Sequence, residues 1–138
     1  MAYYFSTALN QSFESSIDRV TRALEAEGFG VLTEIDVKET MKKKLGEDFR
    51  KYRILGACNP PFAYRALETE DKIGTMLPCN VIVQEHEPNV VEVAAINPVS
   101  SMQAVENESL EPIAAEIGER LQRVIASLRD EEKTADEP

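Results

Sequence analysis

Histidine occurs once in this sequence and cysteine twice, and no CxxC or HExxH spacing gathers them. A structural zinc site normally takes four nitrogen or sulfur ligands, so the donors for one are missing. There is no GxSxG elbow and no glycine-rich phosphate loop, which removes the usual signatures of serine hydrolysis and nucleotide binding. Positive charge is also short: 15 Lys and Arg stand against 25 Asp and Glu, a formal net charge of −10 with a pI near 4.6. The general attraction to phosphate is therefore reversed in sign, and neither nucleic acid nor an anionic membrane is an expected partner. No apolar run approaches the ~20 residues that cross a bilayer. The opening Met1-Ala-Tyr-Tyr-Phe-Ser-Thr-Ala-Leu lacks a basic flank and a long apolar stretch, so it does not read as a signal peptide. A cytoplasmic location is the expectation, with both cysteines as free thiols.

What is present suffices for one core. The chain has 138 residues, 43% of them hydrophobic and 29% charged, enough for a single domain without disulfide or metal staples. That domain is expected over residues 1–129, with 130–138 as a flexible acidic tail that has nothing to bury. The one basic cluster, Lys38, Lys42, Lys43, Lys44, Arg50, Lys51 and Arg53, is diluted by Glu39, Glu47 and Asp48. It reads as a solvated helix and loop, with a docking surface for an acidic partner as the alternative.

Periodicity lays out the elements. Tyr3 to Leu9 reads as a first strand; Ser12 can cap a helix whose stripe is Phe13, Ile17, Val20 and Leu24, stopped at Gly28. Val31 to Val37 alternates as a half-buried strand, and Asp36 can cap a short helix to Leu45 that Gly46 closes. Tyr52 to Cys58 forms the third strand, and Pro61 suits the first turn of a helix through Leu67. After a turn at Ile73-Gly74-Thr75 come Cys79 to His86 and Val90 to Ile96, joined so tightly by Glu87-Pro88-Asn89 that they must form an antiparallel hairpin. Val99 to Asn107 is less regular. Then Leu110, Ile113, Ala114, Ile117, Leu121, Val124, Ile125 and Leu128 trace one long helical stripe, whose natural partner is a sheet face in a two-layer architecture.

Within this order one echo stands out: Gly56-Ala57-Cys58-Asn59-Pro60 leaves a strand, and Leu77-Pro78-Cys79-Asn80 enters one. Cys58 shares strand parity with Tyr52, Ile54 and Gly56, and Cys79 with Val81 and Val83, so both thiols are expected on the more apolar face. Antiparallel third and fourth strands would bring the thiols together, whereas parallel ones would part them by roughly 18 Å; the connecting helix permits either. A thiol pair can hold a thiophilic metal, carry a persulfide or cycle through a disulfide, and Met102 can add a thioether. The bland alternative is two small buried hydrophobes. Asn59 and Asn80 flank the pair as further ligand-binding candidates, or simply satisfy strand-end backbone groups. His86 is a poor third ligand, on the opposite strand face and roughly 23 Å along the strand from Cys79. Glu85 shares the Cys79 parity and is a weak acid–base candidate.

Three phrases carry a resemblance: Glu27-Gly-Phe-Gly-Val-Leu-Thr-Glu-Ile-Asp-Val, Tyr52-Arg-Ile-Leu-Gly-Ala-Cys-Asn-Pro-Pro and Leu77-Pro-Cys-Asn-Val-Ile-Val. Together they resemble the domain-of-unknown-function family three-zero-two over nearly the whole chain. The resemblance implies an α+β fold of TATA-binding-protein-like class, β-α-β4-α with short inserted helices, in which a mostly antiparallel sheet of about five strands packs against helices. It implies antiparallel third and fourth strands, hence neighbouring cysteines, and a homodimer. It supplies no reaction and no cofactor. The resulting expectation is a small binding or accessory protein taking a small ligand or soft metal at Cys58 and Cys79. The alternatives are an interaction module acting through its dimer surface and a thiol-dependent enzyme.

Overall fold

Local chemistry starts and stops the elements. In the computed structural model, which describes residues 2–136, the Ser12 hydroxyl accepts the Ser15 N–H at 3.2 Å and opens helix α1, Phe13–Ala26. Gly28, at φ +87°, supplies the left-handed step that ends it. Asp36 caps α2, Val37–Leu45, through the Glu39 N–H, and left-handed Gly46 closes it. Pro60 and Pro61 occupy the first two positions of α3, Pro60–Thr69, where a missing N–H costs nothing. Asn97 caps the short α4, Pro98–Ser101, inside the stretch expected to be irregular.

Five strands form one sheet: β1 Tyr4–Leu9, β2 Gly30–Asp36, β3 Tyr52–Cys58, β4 Cys79–Glu87 and β5 Val90–Ile96. Their order is β1-β5-β4-β3-β2, with every pairing antiparallel. The β4–β5 hairpin turns at Pro88-Asn89, with Asn89 at φ +63°. Asparagine is one of the few side chains at ease there. Helices α1 and α5, Glu111–Asp136, pack on one face. The core is where Leu55, Val81, Val83, Val91 and Val93 meet Val20, Leu24, Leu121, Val124 and Leu128, all of them buried. Every residue of the stripe anticipated for α5 is buried.

Three expectations need correction. β2 is an exposed edge strand rather than a half-buried one: Leu32, Thr33, Glu34 and Ile35 are all exposed, and α2, which follows it, buries no residue. Its alternation is genuine, but the helical layer does not reach that edge. Second, the thiols do not share the core face. β3 turns Leu55 and Ala57 into the core, so Cys58 carries the outer parity of Ile54 and is half-buried, while Cys79 lies on the core side. Third, α5 does not stop near residue 129. It runs to Asp136, and Arg19 draws its last turns in, with Nη2 2.9 Å from Glu131 Oε2 and Nη1 2.8 Å from Glu132 Oε1. Of the expected tail, residues 137 and 138 lie outside the described residues.

Candidate functional site

The antiparallel register sets Ala57 opposite Cys79, so Cys58 lies one step past the last β3–β4 pair. Opposite parity would part the two thiols in mid-sheet. At the strand ends both instead reach one pocket of about 280 Å³, walled by Phe29 and Leu32 before and in β2, Ala63 and Leu67 of α3, Leu77-Pro78, and Ile117 of α5. Asn59 supplies the wall's polar side chain, and no charged residue lines it. The pocket thus sits between the end of the sheet and the long terminal helix.

Close packing fixes this end of β3. A side chain at Gly56 would collide with Thr33 Oγ1 and come within 2.7 Å of Pro78 Cγ, so glycine is what lets Pro78 settle over the strand. Asn59 is tied down from one side: its Nδ2 donates to the Glu27 carbonyl at 3.1 Å, and Arg120 Nη1 donates to the same oxygen at 3.2 Å. These two donors satisfy a carbonyl that the end of α1 leaves without a helical partner. The Arg120 and Arg65 guanidinium carbons each lie 5.1 Å from the Phe62 ring centre, pinning α3 beside α5.

Burial sets the thiol chemistry. It pushes Cys79 up from 9.0 to about 11, the nearby Cys58 adding to the shift, and it raises Cys58 as well. At neutral pH both are therefore neutral thiols, the reverse of an activated nucleophile. Among the described residues no group of three or more His, Cys, Asp or Glu side chains could hold a metal ion.

The other candidates scatter around this pocket. Asn80 is exposed and does not line it; it joins Cys79, the buried Met102, Met76 and Ile96 around a second hollow of about 220 Å³ behind Pro78. Cys79 forms part of both walls. His86 is a surface residue near the hairpin turn, its Nε2 3.1 Å from Glu92 Oε1. Glu85 is half-buried near the far end of β4. The wall residues Phe29, Leu32, Ala63, Leu67 and Ile117 escaped the sequence reading because they converge from separate elements, and only their apolar character was visible beforehand.

The geometry defines a class: a two-layer α+β domain with an uncharged, thiol-lined pocket at the sheet's end. Residues 5–128 match the family described as Domain of unknown function DUF302, and the chain belongs to that family. Its fold is shared by a solved structure, the crystal structure of uncharacterized conserved protein DUF302 from Bacillus stearothermophilus, with TM-score 0.85 and 29% identity. The likeness covers 94% of this chain and 100% of that one. No curated protein matches the chain. Among the described residues no helix is long and apolar enough to cross a membrane.

Proposed function

We propose that this protein binds a small molecule in the pocket that Cys58 and Cys79 line. The observation that carries the reading is convergence: two thiols, one amide and apolar side chains from several elements close on one cavity with no charge in its wall. Small-molecule sites are typically of this kind, apolar with a few placed polar groups. A thiophilic guest, whether a soft metal or a sulfur species, is the narrower form of this reading, supported by the two cysteines that line the pocket. Free thiols suit a reducing, cytoplasmic setting.

The test is accessibility followed by occupancy. Cys58 and Ala63 both line the pocket, so filling it with Ala63→Leu is expected to slow alkylation of Cys58 severalfold while circular dichroism stays unchanged. Native mass spectrometry and metal analysis of protein purified without oxygen then identify any retained guest. An unchanged alkylation rate in Ala63→Leu, together with an empty native mass, sinks the reading.

A second reading rests on the sheet's other face. Tyr3, Tyr4, Tyr52, Ile82, Ala94 and Ile96 line an open groove there, with Asn80, Gln84 and Glu92 as its polar members. Five strands of six to nine residues give a face of roughly 24 by 20–30 Å, about 500–700 Å² in projection and approaching the ~800 Å² per partner of a standard interface. We propose a second copy of the chain as its occupant, giving a homodimer; the net charge of −10 argues against nucleic acid or an anionic membrane in that place.

A further inference from the structure

Asn59 stands at the N-cap of α3, yet its side chain caps nothing. An N-cap asparagine ordinarily accepts from the second or third helical N–H. Here the first two helical residues are Pro60 and Pro61, which have no N–H to give, and no bond from the third is made. The other half of the amide is committed: the Glu27 carbonyl can only accept, so the atom 3.1 Å from it is Nδ2. Among the described residues none donates to Oδ1. The residue is only 6% exposed, but among the described residues no sealed side-chain nitrogen or oxygen lacks a partner. An Oδ1 without a donor is therefore reached from outside, and the cavity that Asn59 lines is the thiol pocket.

On the reading that this pocket binds a small molecule, we infer its chemical class: an uncharged, largely apolar molecule carrying one hydrogen-bond donor, which it gives to Asn59 Oδ1. Apart from a soft metal taken by the thiols themselves, a charged guest would be desolvated by the neutral wall without compensation. An apolar guest with no donor would leave Oδ1 buried and unmet, whereas one N–H or O–H completes it. The fixed Nδ2 bond to Glu27 holds the acceptor in place before the guest arrives.

Indole and its isostere benzofuran differ chiefly in the donor and serve as probes, with calorimetry on the full-length protein as the readout. Indole is expected to bind roughly fivefold to tenfold more tightly than benzofuran, the range of one net hydrogen bond. Asn59→Ala should bring indole down to the benzofuran level and leave benzofuran unchanged; if that variant does not fold, the comparison in the native protein decides alone. Equal binding of the two probes, with both abolished by Ala63→Leu, overturns the donor and leaves the pocket reading standing. Binding of neither probe also overturns the inference, while the pocket itself is judged separately by Cys58 alkylation.

Discussion

At the scale of single residues, the pocket end of the sheet is governed by what is buried and what is left out. Cys79, only 6% exposed, holds its proton more tightly in the folded protein than in the unfolded chain, because its pKa rises from 9.0 to about 11. Its contribution to stability is therefore complete below pH 9 and is lost as pH climbs toward 11. Between pH 8 and 10.5 this amounts to about 2 kcal/mol. Urea unfolding at both pH values should show that extra loss in the native protein and not in Cys79→Ala; parallel losses in the two would mean that Cys79 is not the proton responsible. Gly56 is governed by omission. Gly56→Ala drives a methyl group into Thr33 and Pro78, an overpacking expected to cost about 1–3 kcal/mol. Adding Thr33→Ala should recover part of that, and no cost at all would show that β2 can move aside freely.

At the scale of elements, the last turns of α5 are tied to α1 by one arginine. The side chains of Arg19 and Glu132 are each 14% exposed, and Arg19 also reaches Gln11, Glu131 and the Leu128 carbonyl. Screening by water is weak there, so Arg19→Ala should cost about 1–3 kcal/mol. Ending the chain after Arg129 should cost a similar amount, and the two changes together should cost less than their sum because they remove the same contacts. Full additivity in chemical unfolding would contradict that coupling. This pairing was hidden in the sequence, where 130–138 shows charge and no stripe. Strands β3 and β5, by contrast, were legible to the residue, and so were the caps at Ser12, Asp36 and Gly46, because parity, caps and turn chemistry are local. The face of β3 was not. Arg53 shares the core parity of Leu55 and Ala57 and disguises it; in the structure its guanidinium lies 5.8 Å from the Phe13 ring centre and pairs with Glu34. Asn59 was visible as a candidate, while its role depends on Glu27, 32 residues away in the chain.

At the scale of the whole molecule, net charge and the open sheet face act against each other. Two copies carrying −10 each repel, and burial of Tyr4, Tyr52, Ile82 and Ile96 against a second copy must overcome that repulsion. Salt screens charge over about 8–10 Å at ordinary ionic strength and leaves apolar contact largely untouched. Self-association through this face should therefore strengthen as salt is added, the opposite of an interface held by ion pairs. Ile82 is the side chain to change: it is half-buried in the middle of the outer face and points away from the core set of Val81 and Val83. Sedimentation of the native protein at micromolar concentration should give a dimer, favoured by salt, and Ile82→Glu should give a folded monomer that still protects Cys58 as before. A native protein that stays monomeric at high salt would remove the dimer. A dimer indifferent to Ile82→Glu would place the interface elsewhere, with the exposed β2 edge and its Leu32 and Ile35 next to be tested.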